Sequence, residues 1–331
     1  MPIKSVVNLV AAAKHKNGTA LDFLYVFGGF VILLVAGDSL VRGAVSLSLK
    51  LGIPALIVSL TIVAFGTSAP ELLISIKAAL DGSAGLALGN VVGSNIANVL
   101  LVLGVPALFF GISTQDDASK SNYIYMILAT IVFITMGLMG PFTAFNGVLM
   151  LLLLATILFK AYRHAKNSRN AMLATMDDLS QTDSAWWRII ILIVVGMIGL
   201  PIGANLLVEG AVNIAQELGV DEAIIGLTLV AIGTSLPELA TTVMAAYRKE
   251  ADVAIGNVIG SNIFNLLGVI GITSLITNLP VSQEFLGHDF WIMLGSSLIL
   301  LPFIWYKVNL TKLWGGAFLA TYVIYIWMLF V

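Results

Sequence analysis

Long apolar segments occupy most of this chain. Ten of them approach or exceed the roughly 20 apolar residues that a helix needs to cross a lipid bilayer. Only 10% of the 331 residues are charged, whereas an average soluble domain contains about 25% charged residues. We therefore predict an all-α polytopic membrane protein with ten transmembrane helices. The predicted spans are residues 23–48, 54–80, 85–110, 121–140, 143–164, 187–216, 222–247, 251–277, 289–306 and 312–331.

The remaining composition narrows the possible functions. The formal net charge of −2 gives no electrostatic reason to bind nucleic acid. The sequence contains no Cys, which excludes disulfides, thiolate metal sites and cysteine nucleophiles. No short apolar core with a small-residue cleavage site follows the N-terminus, so we predict no removable signal peptide. We expect the lipid bilayer to surround most of the protein and expect no nucleic-acid partner.

The positions of Lys and Arg predict how the chain is oriented. Among the Lys and Arg residues in the loops and near the span ends, eleven fall on one side, and only Lys4, Lys14 and Lys16 fall on the other. Because cytoplasmic loops are enriched in Lys and Arg, we predict that both termini face away from the cytoplasm. The N-terminal tail, residues 1–22, mixes apolar residues with lysines and is predicted to lie at the membrane interface. Residues 165–186 are predicted to form a polar cytoplasmic linker.

One block of sequence occurs twice in the chain. Residues 51–104 contain GTSAPE followed by GNVVGSNIAN, and residues 218–271 contain GTSLPE followed by GNVIGSNIFN. Matched positions differ by one constant repeat offset, as the motif glutamates show (238 − 71 = 167). The two halves, residues 23–164 and 187–331, each contain five predicted spans. Since an odd number of spans reverses the direction of the chain, we predict two inverted-topology five-helix repeats, as in many secondary transporters.

Each repeat places a glutamate inside an apolar segment. An ionisable residue at membrane depth costs a few kcal/mol and indicates a functional site by default. Glu71 and Glu238 occupy equivalent positions in the two halves, so we expect them to meet at one central site. Pro70 and Pro237 precede them and lack an N–H, which should interrupt each helix. Interrupted helix at membrane depth is tolerated where it lines a cavity or is buried in protein.

Further oxygen atoms should surround the two carboxylates. Hydroxyl and amide side chains recur beside each glutamate and on one face of the following helix. Oxygen donors of this kind suit hard cations such as Na⁺, Ca²⁺ or Mg²⁺, and two carboxylates can balance one divalent cation. Four neighbouring asparagines are expected to be interhelical hydrogen-bonding residues instead: Asn90, Asn95, Asn257 and Asn262. The expected donors are Thr67, Ser68, Ser94, Asn98, Thr234, Ser235, Ser261 and Asn265.

Three other charged residues lie within the first spans of the two halves. Asp38 and Arg42 are four positions apart and are predicted to form a local ion pair with a structural or gating role. Glu209 lies at the position equivalent to Arg42, so this pair does not recur in the second half. No metal site is predicted for the three scattered histidines.

The paired motifs GTSAPE and GTSLPE, each followed by GNxxGSNIxN, resemble the α-repeats of the cation/Ca²⁺ exchanger superfamily, and most closely its prokaryotic Na⁺/Ca²⁺ antiporters. The resemblance implies exchange of Ca²⁺ for Na⁺ by alternating access in a cell membrane, without covalent chemistry or a cofactor. It implies a Ca²⁺ site made by Glu71, Glu238, Thr67 and Thr234. It also implies flanking Na⁺ sites at Ser68, Ser235, Ser94, Ser261, Ala64 and Ala231, with Asn98 and Asn265 at the adjacent polar positions.

Departures from related branches narrow this expectation. The K⁺-dependent branch typically carries Asp where this chain has Asn265, and the H⁺/Ca²⁺ branch usually carries a glutamate that GNVVGSN and GNVIGSN lack. Na⁺ coupling is therefore favoured, while an H⁺/Ca²⁺ antiporter remains an alternative and a cation channel is the alternative from another class. An enzyme is not expected. A site formed within one chain predicts function as a monomer, and the glycine-containing first helices of the two halves are the predicted sliding gate.

Overall fold

The computed structural model describes the backbone of residues 3–113, 118–175, 185–219 and 231–329. Side chains are described for residues 21–113, 119–163, 185–219 and 232–329. Within these ranges the protein is helical, and its only β-structure is two isolated bridges, Ile112–Leu310 and Phe142–Leu279.

Twelve helices make up the described part of the chain. Seven of them are long and apolar enough to cross a membrane, and the bent pair α2 and α3 provides an eighth candidate span. Of the other two expected spans, residues 222–247 begin outside the described residues, and α12 has 17 residues. The helices are α1 (Ile3–Leu51), α2 (Ala55–Thr67), α3 (Ala69–Leu80), α4 (Ala84–Phe110), α5 (Ala118–Met139), α6 (Ala144–Thr175), α7 (Trp186–Glu217), α8 (Ala231–Thr234), α9 (Leu236–Tyr247), α10 (Ala251–Ile276), α11 (Phe285–Trp305) and α12 (Lys312–Met328).

Two helices extend beyond their predicted ends. Helix α1 includes most of the expected tail, so no helix boundary lies near residue 22. Helix α6 continues to Thr175, well into the expected linker. Residues 165–175 contain neither Gly nor Pro, and the helix therefore continues past the apolar segment that identified it. The rest of the linker, up to residue 184, lies outside the described residues.

Local structure recurs at the repeat offset of the sequence. Helices α3 and α9 are related by this offset both where they begin (236 − 69 = 167) and where they end (247 − 80 = 167). Helices α4 and α10 begin at positions related in the same way (251 − 84 = 167). Gly52 and Gly219 follow α1 and α7 with φ of 66° and 76°, a left-handed conformation that favours glycine. The repeat thus extends beyond the motifs to the ends of the first helices.

Helices α4 and α10 lie at the centre of the bundle. In each, 78% of the most apolar window is buried inside the protein, compared with 28% for α6 and α7. The second motif of each repeat lies on these two central helices. Residues that could coordinate an ion are therefore kept away from the lipid.

Helices α1 and α7 pack closely against each other through small residues. A Cβ on Gly29 would lie 2.5 Å from the backbone N of Leu207, and a Cβ on Gly196 would lie 2.5 Å from the Cβ of Leu40. These two contacts are related by the repeat offset (196 − 29 = 207 − 40 = 167). Close approach at small residues is a common way for membrane helices to associate.

A substitution in this contact tests the packing of α1 against α7. Gly29→Val should destabilise the protein by about 1–3 kcal/mol, because the added side chain meets the Leu207 backbone. Gly28→Val is the matched control, since no described atom lies within 4 Å of a Cβ at that position. Thermal unfolding in detergent should show a lower midpoint for the Gly29 variant only. Equal midpoints would contradict the close contact.

Candidate cation site

The two motif glutamates lie where helices are interrupted. Helix α2 meets α3 at an angle of 42°, and the joining residue, Ser68, has φ −83° and ψ 4°. Ser235 joins α8 to α9 with nearly the same angles, φ −87° and ψ 3°. Glu71 and Glu238 consequently lie in the first turn of α3 and α9. Free backbone N–H groups at a helix N-terminus favour a negative charge there.

Both carboxylates are fully buried, and three of their four oxygens lack a hydrogen-bond partner. The exposed fraction is 0% for Glu71 and for Glu238. Neither oxygen of Glu71 has a hydrogen-bond partner, and neither does Oε2 of Glu238. Among the described residues, no Lys or Arg forms an ion pair with either group. Because a buried charge without a partner is strongly unfavourable, these three oxygens indicate a place for a cation.

Hydrogen bonds join the first motif of one repeat to the glutamate of the other. Ser68 Oγ donates to Glu238 Oε1 at 3.2 Å, and Ser261 Oγ donates to the same oxygen at 3.4 Å. Thr67 Oγ1 lies 3.3 Å from Ser261 Oγ. The α2–α3 junction therefore contacts Glu238 directly, as expected if the two motifs share one site.

One asparagine from each repeat donates a hydrogen bond to the backbone of the glutamate in the same repeat. Asn90 Nδ2 donates to the carbonyl oxygen of Glu71 at 3.2 Å and to Ser75 Oγ at 3.0 Å. The equivalent Asn257 donates to the Glu238 carbonyl at 3.3 Å and to Thr242 Oγ1 at 3.0 Å. The expected interhelical hydrogen bonds are confirmed for Asn90 and Asn257. The prediction is wrong for the Asn95 side chain, which donates within its own helix to the carbonyl of Val91 at 2.7 Å.

Two partners in this arrangement were not expected from the sequence. Ser75 and Thr242 accept the asparagine hydrogen bonds. Their positions are related by the repeat offset (242 − 75 = 167), and both carry a hydroxyl. Comparing the two repeats position by position beyond the motifs would have identified them.

Two further amides lie at π-helical turns of the central helices. Asn98 begins such a turn in α4, and Asn265 lies in another in α10. Both are 0% exposed. Asn98 Nδ2 donates to Asn262 Oδ1 at 3.0 Å, whereas Asn98 Oδ1 and both side-chain polar atoms of Asn265 have no partner. These unpartnered amide oxygens are available to an ion.

The structure buries all of the predicted site residues whose side chains it describes. Hydrogen bonds tie Thr67, Ser68 and Ser261 to the Glu238 side of the cluster. Thr67 Oγ1 also lies 3.3 Å from the carbonyl oxygen of Ala64. The side chain of Ala231 lies outside the described residues. The buried set is Ala64, Thr67, Ser68, Glu71, Ser94, Asn98, Thr234, Ser235, Glu238, Ser261 and Asn265.

The cluster is not symmetric. Ser68 donates to Glu238, but the equivalent Ser235 Oγ has no partner, and neither oxygen of Glu71 accepts a hydrogen bond. Glu238 is thus held by hydrogen bonds to one of its oxygens, while neither oxygen of Glu71 has a partner.

The ligand chemistry available here is that of oxygen. The described residues contain no group of three or more His, Cys, Asp or Glu side chains that could hold a metal. Two carboxylates, hydroxyls, amides and carbonyls remain, and these are ligands of hard cations.

Comparison with known proteins gives a consistent result. The family model described as sodium/calcium exchanger protein matches residues 21–163 and 188–331. The sodium/calcium exchanger MaX1 of Methanosarcina acetivorans is 32% identical over 346 residues, covering 94% of this chain and 99% of that protein. The inner membrane protein YrbG of Escherichia coli is 33% identical over 282 residues, covering 84% and 86%.

A solved structure shows the same fold. The sodium-calcium exchanger NCX_Mj superposes with a TM-score of 0.80 at 31% identity, covering 94% of this chain and 99% of that one. The family match includes both halves and therefore both copies of the motif. This chain accordingly belongs to the sodium/calcium exchanger family, whose members are transporters and not enzymes.

Proposed function

We propose that the protein is an antiporter that exchanges Ca²⁺ for Na⁺ across a prokaryotic cell membrane by alternating access. The observation that carries this proposal is the pair of fully buried glutamates with three unpartnered carboxylate oxygens. A cation supplies the missing partner, and an oxygen-rich site favours a hard one. Family membership supports antiport of Ca²⁺ against another cation.

The proposed Ca²⁺ ligands are Glu71, Glu238, Thr67 and Thr234. The proposed Na⁺ positions flank this site. Their ligands are Ser68, Ser235, Ser94, Ser261, Ala64, Ala231, Asn98 and Asn265. Burial of the described members of this set supports the assignment.

In this proposal, Ca²⁺ and Na⁺ compete for the same two carboxylates, and this competition couples their transport. The carboxylates hold either one Ca²⁺ or several Na⁺, but not both sets together. An empty site leaves two like charges buried, which opposes the passage of the empty transporter between its two states. A loaded site removes that penalty, so transport of one ion in one direction requires transport of the other in return.

The architecture proposed for this cycle is two inverted five-helix repeats, residues 23–164 and 187–331, with ten spans in all. The recurrence of helix ends at the repeat offset supports it. Helices α1 and α7 form the proposed sliding gate, and their mutual packing through Gly29 and Gly196 lets them move as one body. Both termini are proposed to face away from the cytoplasm. Because one chain supplies every ligand, a monomer suffices.

Flux into proteoliposomes tests the coupling. Ca²⁺ uptake should require Na⁺ inside the vesicles and should be negligible with K⁺ inside. Uptake driven equally well by a pH step without Na⁺ would identify an H⁺/Ca²⁺ antiporter instead. Uptake that needs no ion on the opposite side would identify a channel. The direction proposed for the cell is Ca²⁺ export.

A further inference from the structure

Asp38 on α1 pairs with an arginine from the other half of the chain. Its Oδ1 accepts a hydrogen bond from Nε of Arg248, the residue directly after α9. The locally predicted partner, Arg42, is farther away, with Nη1 3.9 Å from Asp38 Oδ2. The i,i+4 rule therefore identified a minor partner, because it cannot detect a residue 210 positions later.

This ion pair lies where α1 rests against α9. Gly37, next to Asp38, is so close that a Cβ on it would lie 3.0 Å from the carbonyl oxygen of Ala240. The side chains of Asp38 and Arg248 are 22% and 36% exposed, so the pair is partly shielded from water. The hydrogen bond to Asp38 raises the pKa of Arg248, and the guanidinium stays charged at all physiological pH values.

The repeat places different charges at the equivalent positions. Moving residues 38 and 42 forward by the repeat offset gives Asn205 and Glu209, and moving residue 248 back by it gives Asp81. The first set, Arg42, Asp38 and Arg248, alternates in sign. The mirror set, Glu209, Asn205 and Asp81, contains two acids and a neutral amide. No ion pair can form in the mirror set, and its two acids repel each other.

Helix packing shows the same asymmetry. Helix α1 packs extensively against α9, whereas among the described residues α7 barely touches α3, its mirror partner. The hydrogen bond from Ser68 to Glu238 is present, while Ser235 has no partner. The structure thus represents a state in which the α1–α9 contact is closed and the α7–α3 contact is not.

We propose that Asp38, Arg42 and Arg248 form an ion-pair latch that holds α1 against α9, and that Asp81 and Glu209 disfavour the mirror contact of α7 with α3. The latch gives the exchanger a preferred resting state, with the face that carries Arg248 closed. This inference rests on the proposed alternating access but not on which ions are exchanged.

Spin labels can measure both contacts in the intact protein, since the natural chain has no Cys. One pair of introduced cysteines replaces Leu49 on α1 and Tyr247 on α9, which are 59% and 63% exposed. The second pair replaces the equivalent Gln216 and Leu80. Pulsed electron paramagnetic resonance without Na⁺ or Ca²⁺ should show a short α1–α9 distance and a longer α7–α3 distance.

Two variants should then change these distances in a defined way. Asp38→Asn, which copies the mirror residue, should lower the ratio of closed to open α1–α9 populations by about fivefold, the upper range for a partly exposed ion pair. Asn205→Asp combined with Asp81→Arg installs a mirror latch and should shorten the α7–α3 distance. The exchange of charges in Asp38→Arg with Arg248→Asp should restore part of the closed population lost in Asp38→Asn, because a new ion pair forms while Arg42 then faces a like charge.

Unchanged distances in both Asp38→Asn and the mirror-latch variant would overturn the latch. Flux measurements on the same proteins separate this failure from that of the proposed function. Distances that shift in a protein lacking Na⁺/Ca²⁺ exchange would uphold the latch and overturn the ion assignment. Normal Na⁺/Ca²⁺ exchange in proteins whose distances do not change would overturn the latch and uphold the ion assignment.

Discussion

Glu71→Gln is expected to lower Na⁺-driven Ca²⁺ uptake by about 100-fold or more, because the affinity of an oxygen site for Ca²⁺ depends on its number of charged ligands. Glu238→Gln should have the same effect, since the repeat gives the two residues equivalent positions. The measurement is initial Ca²⁺ uptake into Na⁺-loaded proteoliposomes at equal protein content. Glu284→Gln is the control, since Glu284 is an exposed acid directly before α11 that belongs to neither the cation site nor the ion-pair latch.

The same substitution should not weaken the fold. The unpartnered carboxylate of Glu71 is unfavourable in the ion-free protein, so the Gln variant should unfold at an equal or higher temperature. Added Ca²⁺ should raise the unfolding temperature of the natural protein, because an ion that binds only the folded state stabilises it. It should have little effect on the variant. A variant that unfolds earlier and keeps its Ca²⁺ response would show that Glu71 is structural.

Asn257→Leu is expected to raise the Ca²⁺ concentration for half-maximal uptake by about 10–100-fold, the usual cost of removing a group that positions a metal ligand. Asn257 holds the Glu238 carbonyl and Thr242, and Thr67 Oγ1 donates to its Oδ1 at 3.3 Å. Removing the Asn257 amide should make the position of Glu238 less fixed, although no proposed ion ligand is itself changed. The maximal rate at saturating Ca²⁺ should fall much less than the affinity.

Two substitutions of Thr242 supply the matched control. Thr242→Ser keeps the hydroxyl that accepts from Asn257 and should behave like the natural protein. Thr242→Val keeps the shape, removes the acceptor and should show a weaker form of the Asn257 defect. If Asn257→Leu lowered the amount of folded protein but left the Ca²⁺ affinity of the folded fraction unchanged, Asn257 would have a role only in the stability of the fold.

The sequence was sufficient for the features that depend on spacing within the chain. Apolar length indicated the spanning helices, and the constant repeat offset paired Glu71 with Glu238. The proline after each GTS motif predicted the interruptions observed at Ser68 and Ser235. These features follow from local rules, because helix breaking and burial cost act over a few residues.

Contacts between distant segments were beyond such rules. The sequence did not indicate that Ser68 would hydrogen-bond to Glu238 while Ser235 would not hydrogen-bond to Glu71. The two repeats carry the same residue types at these positions. Arg248 was missed as the partner of Asp38 because the i,i+4 rule considers only neighbours on one helix. Both features depend on how segments far apart in the sequence pack against each other, which rules of local spacing do not describe.

The central claim is that Glu71 and Glu238 together hold one hard cation. The most direct test is an anomalous difference map from crystals of the protein grown with Ca²⁺. We expect a single strong peak about 2.3–2.6 Å from oxygens of both carboxylates. A peak bound to one of them alone, or an equally strong peak at the same position in crystals of the Glu71→Gln, Glu238→Gln double variant, would contradict the claim.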